Sequence, residues 1–336
     1  MTTTPNSLRR WILTLVLGAA LPFQANAAGT ELLNVSYDVA RELYKDINPA
    51  FIDAYKKQTG EAVTVKQSHG GSSKQARAVA DGLEASVVTM NQANDIDMLA
   101  ERGLVTKDWA KKFPNNAAPY YSTMVYLVRK GNPKQIRNWE DLARPGVQVI
   151  IPNPKTAGNG RYTYLAAWGS VLKKGGNEQQ ARVLVGRIFK NVPILDAGGR
   201  AATTTFTQRQ IGDVLVTFEN EVSMVRAEFG DNFEVVYPSV SILAESPVAV
   251  VDKVVDRRKL RKQATAYLNF LYTPQGQEIG AKHYLRVRNE AVMKKYAANY
   301  KPVTLFTVNE LFGGWQKAQD RHFDDGGEFD KIYQSK

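Results

Sequence analysis

One arrangement recurs along the chain: a short β-branched run ends in a loop of small residues, which opens directly into a helical stretch. "ELLNVSYD" leads into a segment whose Ala40, Leu43, Tyr44, Ile47 and Phe51 fall at helical spacing, with Asp38 as the expected N-cap and Gly60 as the stop. "AVTVKQS" passes through "HGGSS" into "KQARAVADGL", and "ASVVTM" into "NDIDMLAERG". From residue 124 the series restarts with "MVYLVRKGNP", then "NWEDLARPG", where Asn138 and Asp141 have capping-box spacing, then "VQVIIPNP" and the loop "TAGNG". "VPILDAGGRAATTTF" and "IGDVLVTFENE" repeat the layout, and after residue 257 the chain turns mostly helical. Such alternation predicts an α/β fold with mostly parallel sheets flanked by helices. Two series with no flexible tether predict two lobes joined by strands crossing near residues 119–125 and 241–248. Lobe 1 would comprise residues 28–121 and 243–336, and lobe 2 residues 122–242.

The first 27 residues stand outside this pattern. Arg9 and Arg10 precede the apolar run "WILTLVLGAAL", and Ala25-Asn26-Ala27 has the form of a cleavage signal. Eleven apolar residues are too few to span a bilayer, which takes about 20. A cleaved signal peptide and an exported, soluble, periplasmic chain are therefore expected. Without cysteine there are no disulfides, no thiol nucleophile and no cysteine-ligated metal. Three histidines (His69, His283 and His322) show no metal-ligand spacing. The net charge of +11 falls to 11 − 2 = +9 once Arg9 and Arg10 are removed. That balance suits an anionic partner. The basic residues are scattered, with no dense run interleaved with aromatics, which disfavours nucleic acid.

Four loops share one chemistry: "SYD" (36–38), "HGGSS" (69–73), "TAGNG" (156–160) and "AGGRAATTT" (197–205). Each ends a strand and opens a helix, at the sheet edge where open parallel sheets bind ligands. Small residues let backbone N–H groups approach a ligand, and each helix start adds roughly half a positive charge. A cleft between lobes could surround one small anion with neutral donors. A fully ionised oxyanion fits such a cleft better than phosphate, whose proton needs an acceptor; Asp38 could supply one, so this step leaves the ligand open.

"LLNVSYDVARELY", "QSHGGSSKQA", "VRKGNPKQIRNWEDL", "PNPKTAGNGRYTYLAAWG", "GDVLVTFENEV" and "LFGGWQKAQDRHF" resemble the periplasmic sulfate- and thiosulfate-binding proteins of ABC importers, over about residues 31–330. The resemblance implies a two-lobed periplasmic-binding-protein fold of type II that closes around a dianion held by amides and hydroxyls, without a counter-cation or cofactor. It implies an inner-membrane ABC permease with its ATPase as partner, and a monomer. By position Asp38, Ser72, Gly158, Asn159 and Gly199 match the family's ligand contacts. Phe218 stands where sulfate-specific members have Trp, and "MNQAND" where they have "LALAYD". These features, with Thr203–Thr205, look like the thiosulfate-binding branch. Ala157 stands where the family usually has Ser.

The remaining candidates rest on placement. Tyr37 closes the first loop, and Asn91 and Gln92 end "ASVVT", where pocket donors would sit. Phe218 and Ala157 both remove a donor, and an apolar wall formed by them would suit the weakly accepting sulfur of thiosulfate. Arg200 is expected to brace the site rather than contact the ligand. His69, with no Ser–Asp partner spacing, has a structural role in its loop. No nucleophile–base pair and no metal cluster is legible, so an enzyme is not expected. Two alternatives stay open: a binding protein for another oxyanion, and a sensor module of the same fold.

Overall fold

The computed structural model describes residues 30–334. The signal-peptide reading for residues 1–27 therefore falls outside the described residues. Within those residues twelve strands build two sheets. The first lobe holds β1 (Thr30–Tyr37), β2 (Val63–Gly70) and β3 (Val87–Thr89). The second is laid down by β4 (Tyr120–Arg129), β5 (Val149–Pro152), β6 (Leu195–Asp196), β7 (Val214–Phe218), β8 (Phe233–Val236) and β9 (Val240–Ser246). The chain then adds β10 (Val248–Val250), β11 (Arg286–Val287) and β12 (Thr304–Phe306).

The first sheet runs β10-β3-β1-β2 and the second β12-β9-β4-β7-β5-β6, with β8 and β11 also on β4. In each sheet one strand alone opposes the rest. β10 is antiparallel to β3, whereas β1 runs parallel to β2 and β3. β4 is antiparallel to β7, β8, β9 and β11, while β5–β6, β5–β7 and β12–β9 are parallel. The exception has a topological cause: β4 carries the chain out of the first lobe and β9 carries it back. The two lie side by side from Tyr120–Ser246 to Thr123–Leu243, close to the crossings the sequence predicts.

Each lobe buries its own apolar core. One core gathers residues from Leu32 to Tyr120 and from Val248 to Val292. Another gathers Met124 to Ala244 but also Phe306, Val308, Ala318, Phe323, Phe329 and Ile332. Residues 304–334 thus pack with lobe 2, which corrects their assignment to lobe 1. The reason is a third crossing after Tyr296. β12 extends the second sheet beside β9, and Phe306 lies where Gly169 leaves no room for a methyl group. A buried bidentate pair, Arg286 Nε to Glu219 Oε2 at 2.7 Å and Nη2 to Oε1 at 2.9 Å, ties this crossing down, and Arg286 also donates to the Lys301 carbonyl.

Local signals act as the sequence suggests at most element ends. The helix Arg41–Thr59 stops at Gly60, whose φ of 74° is left-handed and unfavourable for a side chain. The Asp141 carboxylate accepts the Asn138 N–H at 2.9 Å before the helix Trp139–Leu142. Asp38 is not an N-cap. It starts a 3-10 turn, Asp38–Ala40, ahead of the helix Arg41–Thr59, which leaves its N–H at the head of the helical array.

Candidate solute-binding site

Every small-residue loop named from the sequence lies at the carboxyl edge of a strand, and the edges of both lobes face each other. From lobe 1 come the turn Asp38–Ala40, the helix Ser72–Ala80 and, after β3, the helix Ala93–Glu101. From lobe 2 come the helices Gly158–Lys173, Gly199–Thr207 and Glu219–Phe229. Helix starts from both sides therefore aim partial positive charge at one cleft.

Contacts across the cleft are close. The buried Ser72 hydroxyl accepts the Asn91 N–H at 3.3 Å. A methyl group on Gly158 would collide with the Asn91 amide, with Cγ only 2.9 Å away, and one on Gly199 would lie 3.1 Å from Asn159 Nδ2. Close approach leaves no room for a side chain at Gly158, across the lobes, and crowds one at Gly199, within lobe 2. Ser72, Asn91, Gly158, Asn159 and Gly199 thus form one continuous strip. The Asp38 turn packs against the helix Gly199–Thr207. Ala157 is buried just before the helix Gly158–Lys173, with extended backbone. Phe218 ends β7 and meets Tyr162 edge-on at 5.8 Å, and it shares a small cavity with Tyr37 and Asn91.

Gln92 and Arg200 stand behind the strip, Gln92 where a pocket donor was expected and Arg200 as the expected brace. The Gln92 amide donates to Ser73 Oγ at 2.9 Å and to Asp95 Oδ2 at 3.1 Å, so it supports the helix start from behind. Arg200 is exposed, and its charge acts on the buried Glu221. His69 holds the loop through Nδ1 and the Tyr37 carbonyl, 3.2 Å apart, and burial lowers its pKa.

Sequence reasoning missed three charged residues behind the strip. Glu221 is buried and takes the hydroxyls of Thr217 and of Thr203 (2.7 Å), with Asn159 Nδ2 at 3.4 Å. Burial pushes its carboxyl up, against the pull of those hydroxyls and of Arg200. Asp95 lies beneath Ser72 and Ser73, likewise pushed up by burial. Arg161 of lobe 2 reaches the Ser73 hydroxyl of lobe 1 at 3.4 Å; burial lowers its pKa and the Asp95 charge opposes that. The sequence signal was slight: acids at the third position of a helix start are common caps.

The family model for bacterial extracellular solute-binding proteins matches residues 38–286, the span that carries all these loops. The chain belongs to this solute-binding family. It is 60% identical over 321 residues to the thiosulfate-binding protein of Pseudomonas aeruginosa, covering 95% of this chain and 96% of that one. It is 54% identical over 308 residues to the sulfate-binding protein of Escherichia coli, covering 91% and 94%. Among solved structures it resembles the sulfate-binding protein SubI from Mycobacterium tuberculosis, with a TM-score of 0.79 and 34% identity over 88% of this chain and all of that one. This solute-binding protein therefore has the two-lobed type II architecture, with its site between the lobes.

Proposed function

We propose that this solute-binding protein captures a divalent sulfur oxyanion, thiosulfate in preference to sulfate, and delivers it to an ABC importer. The observation that carries the reading is the convergence of helix starts from both lobes on the strip Ser72–Asn91–Gly158–Asn159–Gly199. Neutral N–H and hydroxyl donors surround a fully ionised anion there, and the cleft has to close for both walls to engage it. The match to thiosulfate- and sulfate-binding relatives over nearly the whole chain supports the same ligand class. Phe218 in place of an indole donor supports the thiosulfate side. The protein acts in the periplasm as a monomer after removal of residues 1–27, docks on a membrane permease and turns nothing over.

Titration calorimetry with thiosulfate, sulfate, molybdate and phosphate tests this directly. Thiosulfate should bind tightest, sulfate next, and the other two weakly. Preference for sulfate by a wide margin would overturn the thiosulfate assignment, and binding none of the four would overturn the whole reading.

A further inference from the structure

The cleft is tight almost everywhere. Gly158 abuts Asn91, Gly199 abuts Asn159, and a methyl on Gly71 would already touch the Thr156 carbonyl at 3.7 Å. Spare room adjoins the strip on its hinge side. There a small chamber is lined by Tyr37, Asn91, Ser122, Phe218, Ala244 and Ser246, with Asn220 beside Ser122 and with Glu245, whose carboxylate accepts from Arg288 at 2.8 Å. Its floor is the pair of crossing strands, where Ser122 of β4 sits opposite Ala244 of β9. It is roomy enough for about one water-sized group.

Its lining is poorly matched to an oxygen of a dianion. Phe218 presents an aromatic ring without a donor, and Ala244 a methyl group. The Tyr37 and Ser246 hydroxyls, 3.2 Å apart, share one hydrogen bond, which leaves a single O–H of the two to donate elsewhere. The Ser122 hydroxyl donates to Asn220 Oδ1 at 2.9 Å. A charged oxygen placed there would lose most of its hydrogen bonds. The Asn91 amide is also uncommitted: the residue is buried, and its Oδ1 has no hydrogen-bond partner among the described residues. An amide end takes whichever orientation its partner requires, so Asn91 can turn its NH2 toward an anion.

The geometry points to this chamber as a second compartment of the ligand site, receiving the sulfur end of thiosulfate while the cradle of helix starts holds its oxygens. The inference rests on the ligand class argued under Proposed function and adds the place where the two anions are told apart. Sulfate presents an oxygen in every direction and gains nothing from the chamber. Thiosulfate has one weakly accepting end, a single sulfur atom, which the chamber receives against Phe218 and Ala244 with the Asn91 amide free to turn toward it.

Filling the chamber from its floor separates the two anions. Ala244→Val adds two methyl groups next to Ser122, and of the strip only Asn91 shares the chamber with it. It should weaken thiosulfate at least about tenfold and leave sulfate within about twofold, read by calorimetry. Ser122→Thr adds one methyl and keeps the hydroxyl, so it stands in should the larger change impair folding. It should weaken thiosulfate about threefold or more, again sparing sulfate. Equal losses for both anions, or no loss for either, in variants that fold would overturn the inference and leave the ligand class intact. Failure of the wild type to bind either anion would overturn both.

Discussion

The two walls of the cleft solve one problem differently. Each presents helix starts to the anion, and each keeps a buried carboxylate behind them. In lobe 1 that acid is Asp95, under Ser72 and Ser73, and the charge that answers it is Arg161 from the opposite lobe. In lobe 2 it is Glu221, satisfied by Thr203, Thr217 and Asn159 of its own lobe. Closing the cleft therefore brings a cation, Arg161, to Asp95, whereas what lobe 1 brings to Glu221 is the negative charge of Asp38. The first wall gains a countercharge from the second, whereas the second relies on hydroxyls and an amide of its own lobe.

The largest effect expected from this asymmetry is on stability. The chain's last segment fills the core of lobe 2, and His322 of that segment is fully buried against Tyr164, Trp168 and Phe312. Burial, helped by the Arg321 charge, lowers its pKa from 6.5 to about 4. The folded state thus binds a proton less readily than the unfolded chain. Its contribution is complete above pH 6.5 and is lost as the pH falls from 6.5 toward about 4. The gap, 6.5 − 4 = 2.5, corresponds to ~3 kcal/mol. Urea midpoints at about pH 7 and about pH 4.5 should show that loss in the wild type and little of it in His322→Gln. Equal acid sensitivity in both would place the weak point elsewhere.

Ligand affinity probes the walls next. A methyl on Gly158 collides with Asn91 across the cleft, whereas one on Gly71 makes only ordinary contact with Thr156. Gly158→Ala should cost about a hundredfold in affinity, ~2.7 kcal/mol, and Gly71→Ala about twofold or less. Trimming the partner in a Gly158→Ala, Asn91→Ala pair should recover part of the loss, which a double-mutant cycle would read as coupling. Additive losses would mean that the two residues do not meet in the bound state.

The smallest effect decides whether the acids differ as described. Asp95→Asn removes the larger of the two countercharges on the buried Arg161, Asp324 being the other, and should weaken the anion about tenfold. Glu221→Gln removes a negative charge near a dianion and leaves Arg161 untouched, so affinity should hold or rise. Calorimetry on both variants gives the answer, and losses of similar size would erase the distinction.

Much of this was legible in the sequence. The two crossing strands, the strand-edge loops and the glycines emerged from pattern and turn chemistry, because backbone signals are local. What pattern could not show was which lobe a helical stretch packs on. Residues 304–334 have an apolar face like any other helix-rich segment, and only the third crossing assigns it to lobe 2. Asp95, Arg161 and Glu221 read as ordinary surface charges until three helix starts are brought over them. Gln92 occupied a promising position for a pocket donor, but a side chain's direction depends on neighbours far away in the chain.

The third crossing also bears on the order in which the molecule can be assembled. As the chain is made from its amino end, β4 to β9 emerge long before β12, yet the edge beside β9 and the pocket against Gly169 are closed only by Thr304–Phe306 and the helices after it. Lobe 1 likewise waits for β10 to complete its sheet beside β3. Neither half can finish as an independent early unit. Synthesis therefore leaves lobe 2 incomplete until its final segment appears, after every residue of the lobe 1 core has been made.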